Sequence, residues 1–410
     1  MRRVVITGMG MVSPLGNDIE TSWNNAKNGV SGIGPITRVK TDNIPVKVAG
    51  EVKDFDVSRY MDKKDARRMD RFSQYAVAAA VQAMEDAGFD ENNRPESGRF
   101  GVIVGSGVGG IETLEANCIK LHEKGHMRVN PLLAPMMIAN IAAGNIAMRF
   151  QLEGHCSCVV TACAAGANSI GDAFRLIKHG YADAMLSGAG EADIGDIGIA
   201  AFMGLQALST EENPENASIP FDARRTGFVM GEGAGILCLE EYEHAKARGA
   251  NIYAEIKGYG ATSDAYHLTA PHPEGKGAAN AMRLALQEGG VSPEQIAYIN
   301  AHGTSTVYND KMETLAVKTV FGEHAYKLAI SSTKSMTGHL LGASGAIEAI
   351  FTVMGMRHSY ILPTINYKEK DPNCDLDVVP NVGREAEIAY ALSNSFGFGG
   401  QNASLLFARV

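Results

Sequence analysis

The sequence contains no long apolar run, and we expect no secretory leader. No stretch approaches the roughly 18 consecutive apolar residues that a membrane-spanning helix needs. Met1–Arg3 lead directly into the apolar run Val4–Ile6, without the apolar core and cleavage site of a secretory leader. We therefore expect a cytoplasmic protein that has no membrane partner.

Cysteine and positive charge are also scarce. Six cysteines in 410 residues without a secretion signal predict reduced thiols rather than a disulfide framework. The net charge of −9 argues against a nucleic-acid-binding protein, although it leaves room for a local basic patch. The composition, 45% hydrophobic and 20% charged, is typical of soluble globular proteins. The length allows two domains or one large two-part fold.

One segment of the chain occurs twice. Val4–Ser13 and Ala254–Ser263 share an Ile, two Gly and a Ser at identical spacing, each time after a short β-like run. Chance agreement at glycine-rich turns is the alternative, but such self-similarity predicts two copies of one β/α unit. We place the two halves at residues 1–250 and 251–410. Alternating strand and helix patterns favour the α/β class.

Cys163 stands where a β-branched strand end, Val159–Thr161, turns into a small-residue helix. That helix continues through the apolar stripe from Ile170 to Ile177 and ends before Gly180. Unpaired N–H groups at a helix N-terminus favour an anion, which predicts a thiol that is roughly half ionised at neutral pH. An inert packed cysteine is the alternative from this segment alone.

Two histidines lie at predicted strand ends. His302 follows the apolar run Ile296–Ile299, and His339 follows Leu328–Ile330. Strand ends are where α/β folds gather their sites. Each histidine alone is more often structural, but together with Cys163 they predict a catalytic constellation.

Glu348 and the last glycine-rich loop add to this constellation. Glu348 lies in the run Ala346–Met354, which is apolar nearly all round and is predicted to be buried. A buried carboxylate must be paired, and Lys334 is an available partner, although a solvent-facing Glu348 is the alternative. The loop Asn394–Asn402 combines glycines and serines with two aromatic residues, so a backbone N–H there could supply half of an oxyanion hole.

Two further patterns predict local structure. Asp310 and Glu313 have the spacing of a capping box that opens a helix. Ala389–Leu392 and Ser404–Phe407 predict a hairpin around the glycine-rich loop.

Two other classes of site are considered. Gly105–Gly110 reads G-x-G-x-x-G after the strand Val102–Val104, the fingerprint of a dinucleotide site, so an NAD-dependent oxidoreductase is an alternative. No strand ending in Asp or Glu obviously follows it, which disfavours this alternative. A zinc cluster at Cys156 and Cys158 is disfavoured because structural zinc sites usually have Cys-x₂₋₄-Cys pairs, so buried strand thiols are expected.

Four ordered motifs resemble those of the β-ketoacyl-[acyl-carrier-protein] synthases. They are T-A-C-A-A-G around Cys163, A-H-G-T-S-T around His302, S-T-K-S-M-T-G-H-L-L-G-A-S-G around His339, and S-N-S-F-G-F-G-G-Q-N near the C-terminus. The match is closest to the bacterial elongating, type II condensing enzymes of fatty-acid synthesis. The resemblance implies the thiolase fold, with two βαβαβαββ-type halves stacked as five αβαβα layers, and a homodimer.

The resemblance also implies residue roles. Cys163 would take the acyl chain from acyl carrier protein as a thioester, and His302 and His339 would stabilise the enolate formed when malonyl-carrier protein loses CO2. The N–H groups of Cys163 and Phe398 would hold the oxyanion, and Lys334 and Glu348 would fix the histidines. No metal or redox cofactor is required. The residues implied in substrate binding are Val108, Phe202, Thr304, Thr306 and Phe398.

Departures from the motifs leave some properties open. Gln401 stands where Thr is usual, which leaves Phe398 and the backbone role intact. Val108 stands at a pocket position where a bulkier Ile is common, so the preferred acyl length is open. A degradative thiolase would carry a second Cys in the final loop, and a starter condensing enzyme would have Asn at position 339. The sequence leaves open whether the chain acts in polyketide synthesis. It also leaves open whether a structural monovalent cation binds near Asn300, Glu348 and Asn394.

A basic cluster predicts a partner surface. Carrier proteins of this pathway are acidic, so docking on a chain of charge −9 needs a local basic patch. At helical spacing Lys64, Arg67 and Arg68 share one face. A solvated charged face is the alternative, because acidic residues are interleaved. The docking residues we predict are Lys63, Lys64, Arg67, Arg68 and, by resemblance, Arg128.

Overall fold

The computed structural model describes residues 1–90 and 92–410. The strands are β1 (Val4–Val12), β2 (Gly34–Pro35), β3 (Val48–Ala49), β4 (Phe100–Gly105), β5 (Cys156–Ser157), β6 (Ala184–Glu191), β7 (Gly233–Glu241), β8 (Ala254–Ser263), β9 (Tyr298–Asn300), β10 (Ala329–Ser331), β11 (Tyr360–Ile361), β12 (Arg384–Glu385), β13 (Tyr390–Gly397) and β14 (Gln401–Ala408). The helices are α1 (Ile19–Lys27), α2 (Lys63–Ala66), α3 (Arg71–Ala87), α4 (Ile111–Lys124), α5 (Leu133–Met137), α6 (Ile141–Phe150), α7 (Ala165–Lys178), α8 (Asp196–Gly204), α9 (Pro214–Ala217), α10 (Tyr242–Ala247), α11 (Lys276–Gly289), α12 (Val307–Phe321), α13 (Lys334–Thr337) and α14 (Ser344–His358).

Ten of the described strands form one mixed sheet whose order is mirrored about its centre. The order is β10-β9-β13-β14-β8-β1-β7-β6-β4-β5. Strands β1 and β8 pair antiparallel at the centre, with Val4 opposite Ile256. On either side the strands follow the same sequence of antiparallel and then parallel neighbours. The sheet therefore consists of two equivalent halves, which confirms the predicted α/β class and internal repeat.

The repeated glycines show why the repeat is preserved in sequence. A side-chain carbon built onto Gly10 in β1 would lie 1.9 Å from the carbonyl oxygen of Ala79 in α3. One built onto Gly260 in β8 would lie 1.9 Å from the carbonyl oxygen of Ala281 in α11. In each half the outer helix packs directly on the strand backbone, which only glycine permits.

Three apolar cores separate five layers. One core packs α3 and α6 against β1, β4, β6 and β7 of the first half. Another packs α11 and α12 against β9, β13 and β14 of the second half. The largest core encloses α7 and α14 between the two halves of the sheet. The layers are thus α, β, α, β, α, as the predicted five-layer arrangement requires.

The two central helices start in equivalent ways and cross at glycines. Ala162 and Leu341 both have φ of +48°, and each is followed within three residues by a central helix. A side-chain carbon on Gly166 would lie 2.8 Å from the nitrogen of Ala346, and one on Gly345 would lie 2.8 Å from the nitrogen of Ala167. The strained turns and the tight crossing bring the N-termini of α7 and α14 together.

The local predictions had different outcomes. The hairpin is confirmed by β13 and β14, which pair antiparallel. The capping-box prediction was wrong: α12 begins at Val307 and is capped by the side chain of Thr306. Asp310 and Glu313 are instead buried inside that helix, where their carboxylates accept hydrogen bonds from other segments. Across the two described ranges, no helix has both the length and the apolar character needed to cross a membrane.

Candidate active site

A cavity of about 280 Å³ brings together the three residues predicted to act in catalysis. Cys163, His302 and His339 all line it, although they come from opposite halves of the chain. Cys163 lies directly before α7, His302 lies between β9 and α12, and His339 lies between α13 and α14. Four of the predicted substrate-binding residues also line the cavity: Phe202, Thr304, Thr306 and Phe398.

The thiol of Cys163 is buried at the base of α7. Burial raises its pKa to about 12, while the Lys334 ammonium and the backbone N–H of Phe398 oppose that rise. The prediction of a half-ionised thiol was therefore wrong for the free cavity. Desolvation of a thiolate outweighs the favourable end of the helix, because the cavity holds the sulfur away from water.

The last glycine-rich loop reaches Cys163 through its backbone. A side-chain carbon on Gly397 would lie 2.7 Å from the carbonyl oxygen of Thr161 and 3.2 Å from the nitrogen of Cys163. The absence of a side chain at Gly397 thus lets β13 end beside the thiol. The N–H groups of Cys163 and Phe398 both act on the sulfur. Two donors converge on the place where an oxyanion next to Cys163 would form.

His302 is fixed from two sides. Its backbone N–H and that of Gly303 donate to the Glu313 carboxylate at 2.9 and 2.8 Å. The Lys334 ammonium lies 3.5 Å from its Nδ1. Because an ammonium can only donate, Nδ1 accepts and the ring proton is on Nε2. Burial, with Lys334 and His339 adding to it, lowers the pKa of His302 well below 6.5, so the imidazole is neutral at pH 7.

His339 has a corresponding environment. Its backbone N–H donates to the carbonyl of Val229 at 2.7 Å, and its Nδ1 lies 2.8 Å from the Ser344 hydroxyl. Its ring centroid is 5.2 Å from that of His302. Burial and then Lys334 lower its pKa well below 6.5. The cavity therefore presents two neutral imidazoles to one ligand.

Lys334 and Glu348 form the predicted pair. The ammonium contacts Glu348 Oε1, and both side chains are 1% exposed. Burial raises the pKa of Glu348 to about 7, and Lys334 opposes this. A buried pair of this kind is needed because either charge alone would be strongly destabilising. The sequence prediction of a buried Glu348 next to Lys334 is confirmed.

Several buried oxygen atoms near Glu348 accept no hydrogen bond from the described residues. They are Glu348 Oε2, Asn300 Oδ1, Ser393 Oγ and Ser395 Oγ. Asn300 donates to the Glu348 carbonyl and lies opposite Ser393 in the sheet. Oxygen atoms of this type suit a hard cation, but Asn394, the third residue named for such a site, uses its Oδ1 to accept from the Ser404 hydroxyl at 2.7 Å.

The two alternative sites lack the groups they need. The N–H groups of Gly107 and Val108, in the G-x-G-x-x-G segment, donate to the Glu191 carboxylate at 2.5 and 3.2 Å. The segment is therefore not free to bind a pyrophosphate. Cys156 is exposed, so the expectation of buried strand thiols was wrong there because β5 is an edge strand. Within residues 1–90 and 92–410, no cluster of three or more His, Cys, Asp or Glu side chains is arranged to hold a metal ion.

Two groups of predicted residues lie outside the cavity. Val108 does not line the cavity and is 42% exposed. Its backbone N–H donates to the buried Glu191 carboxylate. Helix α2 is a single turn that ends at Ala66, so the helical-face argument does not extend to Arg68. The predicted docking side chains are nevertheless all exposed: Lys63, Lys64, Arg67, Arg68 and Arg128.

Comparison with known proteins decides the family. The family described as "Beta-ketoacyl synthase, N-terminal domain" matches residues 1–245, and "Beta-ketoacyl synthase, C-terminal domain" matches residues 253–368. The chain belongs to the β-ketoacyl synthase family. It is 52% identical over 408 residues to the 3-oxoacyl-[acyl-carrier-protein] synthase 2 of Staphylococcus aureus, covering 100% of this chain and 98% of that protein.

Solved structures of the family have the same fold. A β-ketoacyl synthase from Burkholderia phymatum superposes with a TM-score of 0.93 at 39% identity, covering 100% of both chains. A type II polyketide ketosynthase in complex with its acyl-carrier protein gives a TM-score of 0.93 at 36% identity, again over 100% of both chains. The thiolase-like fold class is thus confirmed.

Sequence reasoning missed some residues that hold the site. Glu313 was assigned to a cap, although its spacing from the apolar residues Ala316 and Val317, at i+3 and i+4, could have indicated that it lies on the buried face. Glu191 was not considered, although it ends the apolar strand β6 and is fully buried. Ser344, which contacts His339, carried no signal beyond its place in a motif.

Burial lowers the pKa of both histidines most, and the charge on Lys334 should lower it further. Replacing Lys334 by Met together with Glu348 by Gln removes that charge without leaving a buried carboxylate unpaired. Because Lys334 lowers both histidine pKa values, the double variant should protonate His302 and His339 at higher pH. A histidine-selective NMR titration measures this directly.

The matched control is the exposed pair Lys276 and Glu274, replaced in the same way. It should leave both titrations unchanged. Unaltered titration in the Lys334/Glu348 variant would show that burial alone keeps the histidines neutral.

Proposed function

We propose that the chain is a 3-oxoacyl-[acyl-carrier-protein] synthase that elongates fatty acids by decarboxylative condensation. The observation that carries this proposal is the single cavity in which one thiol, two neutral imidazoles and two convergent N–H donors meet. In this proposal residues 1–250 supply the nucleophile and residues 251–410 supply the histidines. The identity of 52% with a synthase of that name supports a role in fatty-acid synthesis rather than in polyketide synthesis.

In the first half-reaction the sulfur of Cys163 attacks the thioester carbonyl of acyl-carrier protein. A new carbon–sulfur bond to Cys163 forms as the bond to the carrier breaks, and the thiol proton ends on the carrier's thiol. The tetrahedral oxyanion accepts hydrogen bonds from the backbone N–H groups of Cys163 and Phe398. Because the pKa of Cys163 is raised, the thiol stays protonated until substrate arrives, which protects it from stray electrophiles.

In the second half-reaction malonyl-carrier protein loses CO2 and leaves an enolate. Nε2–H of His302 donates to the enolate oxygen, because Lys334 occupies Nδ1. His339 donates in the same way when Ser344 donates to its Nδ1. The enolate carbon then attacks the acyl-Cys163 carbonyl, and the carbon–sulfur bond to Cys163 breaks as the new carbon–carbon bond forms. The product, a 3-oxoacyl chain two carbons longer, stays on the carrier protein, and the released Cys163 sulfur takes a proton from solvent. No strong base is needed, because the departing CO2 leaves the electron pair behind.

Two partners belong to this proposal. Acyl carrier protein delivers both substrates, and a solved relative is a ketosynthase in complex with such a protein. A second copy of the chain forms a homodimer. Its support is the edge strand β5, which pairs only with β4 among the described strands, together with exposed apolar side chains in the same half, among them Val160 and Ile119 at 56% and 52% exposure.

Acyl transfer should label one residue. Incubation with acyl-carrier protein is expected to add one acyl mass per chain, mapped to Cys163 by intact-mass and peptide analysis. Cys163→Ala should abolish the adduct, whereas Cys156→Ala and Cys158→Ala should keep it. An adduct that persists in Cys163→Ala would contradict the assignment.

The histidines should separate the two half-reactions. His302→Ala and His339→Ala should each reduce CO2 release from malonyl-carrier protein by about 100-fold or more, the range for loss of an oxyanion donor, while some acyl transfer to Cys163 is retained. His339→Asn should keep part of the activity, because an amide N–H can still donate. The exposed His179 provides the control, and undiminished CO2 release in both Ala variants would exclude the histidines from the mechanism.

The basic cluster should affect only substrates delivered by the carrier protein. Arg67→Glu with Arg68→Glu is expected to raise the apparent KM for acyl-carrier protein several-fold, and the effect should weaken with salt because screening acts over about 8 Å at physiological ionic strength. Activity on small acyl-thioesters should be nearly unchanged. Arg283→Glu with Arg357→Glu makes the same charge change elsewhere, and equal losses with both substrates would show that the arginines support the fold instead.

A further inference from the structure

The turn that precedes α14 repeats the turn that carries the nucleophile. Ala162 and Leu341 have the same positive φ, and the residues that follow them are Cys163 and Gly342. Gly342 is therefore the counterpart of Cys163 in the second half. In the mirrored sheet, β6 is likewise the counterpart of β13.

The two strands end differently. Strand β13 ends at Gly397, whose missing side chain leaves room beside the N–H of Cys163. Strand β6 ends at Glu191, whose carboxylate accepts the N–H of Gly342 at 2.9 Å. The space beside the Cys163 turn is therefore open to substrate, whereas the space beside the Gly342 turn is filled by the Glu191 carboxylate.

The Glu191 carboxylate does more than fill space, because it accepts four hydrogen bonds. Its two oxygens accept from the N–H groups of Gly107, Val108 and Gly342 and from the Ser106 hydroxyl, at 2.5 to 3.2 Å. The side chain is fully buried. Four convergent donors form a carboxylate-binding cradle. Three of the donors belong to the first half, and Gly342 belongs to the second.

The cradle is connected to the histidine segment. Gly342 lies three residues after His339, and Leu341 between them lines the cavity. Cys163 is also held by α7 and by the N–H of Phe398, contacts that do not involve Glu191. Loss of the carboxylate would release the Gly342 turn and leave four buried donors without an acceptor, which is destabilising.

We propose that Glu191 is a positioning residue that fills a second oxyanion-type cradle, equivalent by the internal repeat to the one at Cys163, and thereby holds His339 against the thiol. This rests on the proposed function, because the segment that Glu191 holds is the one that acts on the malonyl substrate. The cradle binds a carboxylate, and it is specific for that group because all four of its contacts are donors.

Chemical rescue by formate tests the proposal. Glu191→Ala should lower CO2 release from malonyl-carrier protein roughly 10- to 100-fold, consistent with loss of hydrogen bonds to a charged group, and should lower acylation of Cys163 much less. Formate, which carries the same carboxylate, should restore CO2 release and raise the thermal midpoint of this variant. Glu191→Gln fills the space but turns an amide N–H2 toward donors, so it should be impaired and insensitive to formate.

The exposed variant Glu243→Ala controls for effects of formate itself. Equal loss of both half-reactions without any response to formate would overturn the proposal, as would a fully active Glu191→Ala. If Glu191→Ala does not fold, the ratio of the two half-reactions in Glu191→Gln decides: an unchanged ratio overturns the proposal. Absence of CO2 release in the unmodified protein would contradict the proposed function instead.

Discussion

The electrostatics of the site depend on one buried positive charge. Lys334 is 1% exposed, contacts Glu348, and lies against His302. From this position it lowers the pKa of both histidines and opposes the rise in the pKa of Cys163. A single ammonium thus favours neutral imidazoles and an anionic sulfur at the same time. Those are the protonation states that donation to an enolate and attack on a thioester require.

That charge is tolerable because Glu348 and Nδ1 of His302 accept from it, and further carboxylates hold the segments around it. Glu348 pairs with it from the first turns of α14, and Glu313 fixes the loop of His302 from α12. Both carboxylates have a pKa raised to about 7 by burial. The second half of the chain therefore carries a compact polar cluster inside an otherwise apolar core. The first half contributes the thiol from a helix whose buried residues are nearly all small or apolar.

The features that could be predicted from sequence were those with a local pattern. The helix after Cys163, the terminal hairpin, the buried Glu348 and the repeat of Val4–Ser13 each follow from periodicity or spacing within one segment. The role of Glu313 and the cradle of Glu191 could not be predicted, because their partners lie in loops that only the tertiary fold brings near. The ionisation of Cys163 was missed for a related reason: a helix terminus is visible in sequence, but the depth of burial is not.

The crossing of α7 and α14 has a mechanical consequence. Gly166 and Gly345 place the two helices in backbone contact, so the segments that begin them cannot slide or tilt independently. The crossing fixes the two helices relative to each other, while the turn at Gly342 before α14 depends in addition on its own contact with Glu191. Glycine has a different use beside the cavity. Gly400 lines it, and Gly399 and Gly400 both have positive φ, a conformation that glycine adopts without strain. Gly166 and Gly345 thus permit a close helix crossing, whereas Gly399 and Gly400 permit a tight turn next to the cavity.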